Sequence, residues 1–166
     1  KEMKKIVVAS DSFKGSLSSV DVALSAEKGV KEVFPACDVV KINVADGGEG
    51  TVDAVVEALN GKKVRINVST PIGEPVEAEY GVAGDTAIIE MAAASGLPLL
   101  TPEQRNPWVT STYGTGEMIL DALNRGCSKF LVGIGGSATN DAGTGMLQAL
   151  GFRFYDKNNE LIEDCC

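Results

Sequence analysis

Apolar positions along this chain fall into short unbroken runs that end in glycine-bearing polar loops and then resume with helical spacing. Residues 5–9 (KIVVA) are the first β-branched run and read as a buried strand. The polar stretch SDSFKGSLSS follows. From about Ser18, the positions Val20, Ala23, Leu24, Glu27 and Val30 then trace an amphipathic helix that runs to about Phe34, with Ser18 or Ser19 as cap and Pro35 as stop. Residues 39–44 (VVKINV) form a second strand ending in ADGGEG, and a helix with Val52, Val55, Val56 and Leu59 on one face follows, with Gly61 as its C-cap. Residues 130–134 form another buried strand, which breaks into GGSATNDAG before a short helix face of Met146, Leu147 and Leu150 ended by Gly151. Strand, glycine loop and helix thus occur in that order three times.

Between the second and third units the texture changes. Strands at 64–68, 76–82 and 86–90 are joined by short turns, which suit antiparallel hairpins better than crossovers. This segment reads as an elaboration or small module attached to a parallel core, or equally as an antiparallel edge of one sheet. A helix is expected from about Thr115 to Arg125, closed by Gly126. Thr112, Thr115, Gly114 and Gly116 at its start are either a further ligand cradle or an ordinary capped start with Glu117 in the first turn. Trp108 and Tyr113 read as packing, or as the border of a pocket. FRFY (152–155) is a last strand, with a turn after it. The fold class is therefore α/β: a parallel, Rossmann-like sheet flanked by helices, with an antiparallel hairpin-rich segment. The expected segments are 1–62 (α/β), 63–100 (hairpin-rich) and 101–166 (α/β with the glycine-rich loop).

Composition narrows the function. With 166 residues and a formal net charge of -8, the chain lacks the basic balance of a nucleic-acid surface, so any phosphate must be held by local donors. No apolar run approaches membrane-spanning length, and the sequence enters a strand at once instead of a signal-peptide core, so the expectation is cytoplasmic, with no membrane partner. Cys37 and Cys127 read as small hydrophobes. Cys165 and Cys166 are adjacent, and histidine is absent, which leaves a disulfide framework, a zinc site or a histidine triad little support.

The three loops are expected to gather on the carboxyl edge of one sheet, where open α/β sheets bind ligands. Each could alone be a plain turn. Together they carry Lys14 as a point charge for a transferring phosphoryl group, and Asp46 as a proton acceptor or magnesium ligand. The third loop adds Asn140 and Asp141 beside a helix start, with Ser137 and Thr139 as phosphate donors. The GxxxxGK[ST] phosphate loop is absent. Gly133, Gly135 and Ala138, with Asp156 at ribose-binding distance along the chain, match the dinucleotide fingerprint. That gives an alternative reading as a nicotinamide-dependent oxidoreductase domain. A third reading is a non-enzymatic ligand-binding module.

DSFKGSLS (11–18), ADGGEGTVDAV (45–55), IEMAAASGL (89–97), RNP (105–107), TSTYGTGE (110–117) and GIGGSATNDAGTGMLQALG (133–151), in that order, resemble the bacterial, ATP-dependent (type 1) glycerate kinase family. The resemblance implies a two-domain α/β kinase of the cytoplasm, using ATP with Mg2+ to phosphorylate D-glycerate, with 2-phosphoglycerate the favoured product and a homodimer as candidate assembly. Its signature positions are Asp11, Ser12, Lys14, Asp46, Gly47, Gly48, Glu49, Ser137, Asn140 and Asp141. Residue type then assigns Lys14, Asp46 and Asp11 to catalysis, and Gly135, Gly136, Ser137, Thr139 and Asn140 to the nucleotide. Ser12, Gly47, Gly48 and Glu49 go to the substrate and Asp141 to the metal. The chain departs from the family pattern at Ser10, where a proline is usual, and at Ala142, where a second glycine is common. Family members are more than twice as long, so this chain is expected to be a truncated, N-terminal portion, and whether it is active alone is left open by the sequence.

Overall fold

Ala87, Ile88 and Ile89 are consecutive, apolar and fully buried, the pattern of a strand covered on both faces. In the computed structural model, which describes residues 3–13, 16–44 and 46–162, they form the middle of β5 (Thr86–Glu90). The chain reaches it through β1 (Lys5–Ser10), α1 (Ser19–Val33), β2 (Asp38–Asn43), α2 (Thr51–Ala58), β3 (Lys62–Ser69) and β4 (Pro75–Ala83). After it come α3 (Ala92–Ser95), α4 (Tyr113–Asn124), β6 (Lys129–Gly133), α5 (Thr144–Ala149) and the hairpin β7 (Phe154–Tyr155) and β8 (Leu161–Ile162).

One sheet has the order β3-β4-β5-β6, with antiparallel pairs β3–β4 and β4–β5 and a parallel pair β5–β6, Glu90 standing opposite Gly133. β1 and β2 pair in parallel as a separate two-stranded sheet. The fold is thus α/β, with parallel pairs flanked by helices and an antiparallel hairpin segment. The expectation that all three loops follow strands of one sheet is corrected. The chain leaving α2 enters a hairpin instead of a further parallel strand, so β6 pairs with β5 and not with the β1–β2 pair. The hairpin segment is an antiparallel part of the sheet that ends in β6.

Alternation along β5 sorts the core. Ala87 and Ile89 join Val68, Ala78, Tyr80, Ala94, Met118, Ala122 and Cys127 on the α4 side, while Ile88 packs with Val52 and Val56 of α2. Gly81 of β4 admits α2 to that face, since a Cβ there would stand 2.3 Å from a methyl of Val56. Tyr80, fully buried, donates its hydroxyl to Asp121 Oδ2 at 2.6 Å, which satisfies its polar end. The free thiols Cys37 and Cys127 are both buried, as small hydrophobes.

Helix ends follow local chemistry. Ser18 caps α1 by accepting from Asp21 N. α2 ends in a Schellman arrangement in which Gly61 N donates to Val56 O and Asn60 N to Glu57 O. Asn60, at φ +51, takes the left-handed position expected of Gly61, and Gly61 is instead required by the close approach of Val82 O, 2.7 Å from a Cβ. Gly126 and Gly151, both at φ +91, close α4 and α5 as expected.

Two strands read as buried are not. Val7 of β1 is 56% exposed, and Phe130, Leu131 and Val132 of β6 are all exposed. α1 covers one side of the β1–β2 pair, and among the described residues β6 has a strand partner on one edge only, so their remaining apolar faces are exposed. Trp108 likewise stands 87% exposed instead of packing.

The start of α4 is a close-packed junction, the arrangement of an ordinary helix start set against its neighbours. Thr112 and Thr115 are buried, and Ser95 and Thr115 hydroxyls bond at 2.7 Å. Glu117, beyond the first turn, accepts from Ser69 N at 2.6 Å. A Cβ on Gly114 would lie 1.9 Å from Ser69 O. Because that neighbour is backbone, Gly114→Ala is expected to lower stability by about 2–3 kcal/mol, read as a shift of the urea midpoint with unchanged slope.

Candidate active site

Two of the three glycine loops meet through their backbones. Gly135 N donates to Gly47 O at 3.0 Å. A Cβ on Gly133 would be 2.4 Å from Gly47 O, and one on Gly135 2.7 Å from Gly48 Cα, so the glycines serve loop-on-loop packing. Asp46 Oδ1 accepts from Gly48 N at 2.9 Å, and Thr51 Oγ1 donates to Gly48 O at 2.7 Å. Within this tight turn the side chains of Asp46 and Glu49 remain exposed.

The helix that follows has Gly50 as N-cap, at φ +91, and no side-chain cap of its own. Glu90 supplies one from the end of β5: its Oε1 accepts from Val52 N at 2.7 Å. Burial raises the Glu90 pKa, against the lowering effect of the Val52 amide; the Asp53 charge adds to the rise, and the Gly50 and Thr51 amides oppose it.

The third loop is held by the stretch after β5. Met91 N donates to Gly133 O, Leu97 N to Gly136 O and Ala138 N to Ser95 O, and Thr110 Oγ1 donates to Ala138 O. Ser137 Oγ lies 3.0 Å from Thr139 Oγ1 and accepts from Thr139 N. These hydroxyls, half-buried, and the exposed Asn140 are the polar side chains of this turn, a donor set that fits phosphate oxygens.

Asp141 turns inward. Its Oδ2 accepts from Thr112 N, Thr112 Oγ1 and Gly145 N at 2.7–3.1 Å, and its Oδ1 from Gly143 N at 3.1 Å. Burial tends to raise its pKa, but the Thr112 amide and hydroxyl and the Gly143 and Gly145 amides together outweigh it, and the net shift is downward. The start of α5, read from the sequence as an anion site, is therefore occupied by the protein's own carboxylate. Magnesium takes carboxylate oxygens; Asp46 and Glu49 are exposed, while Asp141 is half-buried among its amide and hydroxyl donors.

The first loop joins the second across a cleft of about 400 Å³, bordered by Ser12, Ser16, Ser18 and Ser19 on one side and Glu49 and Asp53 on the other. Asp11 Oδ1 accepts from Ser12 N at 2.7 Å, which fixes the entry to that loop. Lys14, Cys165 and Cys166 lie outside the described residues. The structure thus joins loop one to loop two by a cleft, and loop two to loop three by backbone.

The dinucleotide reading finds no support. Gly133 and Gly135 pack on the 46–48 backbone, α5 begins six positions after Ala138 rather than at it, and Asp156 folds the β7–β8 turn by accepting from Asn158 N and Glu160 N. Sequence reasoning missed Glu90 as a cap and Thr112 as the hub between Asp141 and Met146 N, although both lie within quoted motifs. A glycine N-cap without a local capping side chain was the available signal for Glu90.

This is an α/β protein whose candidate site is built from glycine loops rich in carboxylates and hydroxyls. A profile of the glycerate kinase family matches residues 6–166. The chain is 54% identical over 160 residues to a glycerate kinase of Haemophilus influenzae and 53% identical to a glycerate 2-kinase of Escherichia coli K12, with 95% of this chain aligned in each. A crystal structure assigned as glycerate kinase 2 from Salmonella typhimurium LT2 superposes with a TM-score of 0.80 at 51% identity, over 96% of this chain and 43% of that one. The chain belongs to the glycerate kinase family, and it spans about 42% of the length of the curated relatives it matches.

Two substitutions in the third loop have opposite expected signs. Asp141→Asn should destabilise the protein by about 2 kcal/mol at neutral pH, since an amide nitrogen cannot accept the amides it would face. A carboxylate with a lowered native pKa stabilises above its unfolded value and loses that contribution in acid, so the gap between wild type and variant should close as pH falls below the ordinary 3.8. Ala142, where the family often has glycine, sits at φ +53. Ala142→Gly relieves that strain and should raise stability by about 1 kcal/mol in thermal melts.

Proposed function

We propose that the protein acts in transfer of the γ-phosphoryl group of ATP to a hydroxyl of D-glycerate, giving ADP and phosphoglycerate, with 2-phosphoglycerate the favoured product. The observation that carries this reading is the Gly47–Gly135 junction, which ties the Asp46 loop to the backbone that leads into the hydroxyl-bearing 137–140 turn. Phosphoryl transfer asks a protein mainly for positioning and charge stabilisation, and two loops locked together by backbone supply positioning.

In this reading glycerate enters the cleft beside Ser12 and Glu49, and Asp46 accepts the proton of the attacking hydroxyl. The oxygen forms a bond to the γ-phosphorus as the bond to the bridging oxygen breaks, and ADP leaves carrying the electron pair. Ser137, Thr139 and Asn140 donate to phosphate oxygens, and Lys14 neutralises charge on the transferred group. Asp11 holds Ser12 in place at the cleft entrance. Magnesium, when bound beside the exposed Asp46 and Glu49, supplies charge neutralisation on the phosphates. Asp141 contributes by shaping the third loop. The setting we propose is cytoplasmic, where ATP and magnesium are abundant.

The test is a magnesium-dependent ADP-release assay with D-glycerate on the polypeptide at the length it has in its source, with the product identified by phosphorus NMR. Asp46→Asn keeps an oxygen to accept from Gly48 N, so the loop stays intact, and turnover should fall by about 100-fold or more with a small change in the KM for ATP. Retained turnover in that variant would remove Asp46 as the base, and absence of glycerate-dependent ADP release in the unmodified protein would remove the kinase reading.

A further inference from the structure

The stretch IEMAAASGL touches both loops of the candidate site without having a chemical role of its own. We propose that Glu90 is the positioning residue of the 46–50 loop: from the end of β5 its carboxylate caps α2 in place of the side chain that Gly50 lacks, and so sets where Asp46 and Glu49 stand. This rests on the reading of that loop as part of the transfer site.

The second amide of α2, Val52 N, has no acceptor within its own turn, because Gly50 is the N-cap and offers no side-chain oxygen. Asp53, the acid in the first turn, is engaged by Lys63 Nζ. Glu90 reaches Val52 N from 38 residues away in sequence, at 2.7 Å. It is itself rigidly placed: β5 is the strand buried on both faces, Glu90 pairs with Gly133, and the next residue, Met91, donates its amide to Gly133 O. Two adjacent residues therefore grip both loops, Glu90 by its side chain at the second and Met91 by its backbone at the third. A shift of Glu90 would move the 46–50 turn relative to Gly135, the contact on which the site depends.

The geometry distinguishes acceptor from charge. Glu90→Gln keeps an oxygen for Val52 N at the same reach, Glu90→Asp retracts it by one methylene, and Glu90→Ala removes it. In hydrogen exchange followed by mass spectrometry, amides of residues 48–53 should exchange about tenfold faster or more in the Ala variant and at an intermediate rate in the Asp variant, with the β3–β4 peptides unchanged. The Gln variant should stay within about threefold of wild type. In the ADP-release assay, kcat should fall by about tenfold or more for Ala, be restored by Gln, and leave the KM for ATP nearly constant. Unchanged exchange at 48–53 in both the Ala and Asp variants would overturn the proposal, as would a Gln variant as impaired as Ala. Should Ala fail to fold, the Asp and Gln pair decides by the same readouts. An unmodified protein without turnover counts against the kinase reading alone, and the exchange data still decide the role of Glu90.

Discussion

The amide of Gly135 meets the carbonyl of Gly47 at a point where the third loop has no room for a Cβ at residue 133 or 135. That contact joins two sheets that share no strand pairing among the described residues: the β1–β2 pair, which delivers the second loop, and the four-stranded sheet, which delivers the third. Glycine at 133 and 135 is a steric requirement of packing. With the backbones in contact, Asp46 and Glu49 are exposed, and Glu49 borders the cleft shared with the first loop. Everything proposed about the site depends on this junction holding its register.

Carboxylates do two kinds of work around it. In a chain with net charge -8 one expects acids to be spread over the solvated surface, yet Glu90, Glu117 and Asp141 each point at backbone amides of another segment. Glu90 and Asp141 serve helix starts distant in sequence, at Val52 and Thr112, while Glu117, beyond the first turn of α4, holds the end of β3 through Ser69 N. Their electrostatics differ: burial dominates at Glu90 and favours its neutral form, while the ring of amides around Asp141 wins and favours its charge. As pH falls, Glu90 therefore gains relative to the unfolded chain, whereas Asp141 loses. Acid response in this protein is a sum of opposed terms, even within one site.

Much of the fold was legible in the sequence because its signals are local. Strand runs, the Ser18 cap, the hairpin turns and the glycines after α4 and α5 act within a few residues, and most fall where the pattern places them, although the last strand, expected over 152–155, is only Phe154–Tyr155. What was illegible is long-range. Nothing local says that Glu90 reaches Val52, or that Asp141 faces inward to Thr112. A glycine-rich loop looks the same whether it cradles an anion or another loop, and only the Gly47 carbonyl opposite Gly133 separates the two. The sheet assignment failed for the same reason, since pairing of β6 with β5 instead of with the β1–β2 pair is a choice between partners of similar local pattern.

The exposed strands complete this reasoning. β1 and β6 carry the unbroken apolar pattern of strands covered on both faces, yet Val7, Leu131 and Val132 are exposed, while β5, of the same pattern, is sealed by α2 on one side and α4 on the other. Pattern states what a strand needs, and the surrounding chain decides whether it is met. The curated relatives matched here devote more than half of their length to regions beyond the aligned part, enough polypeptide to seal such faces. The site loops grow from the ends of these very strands. Cover on β1 and β6 would therefore stiffen the supports of the first and third loops directly, whereas the second loop is already braced through Glu90.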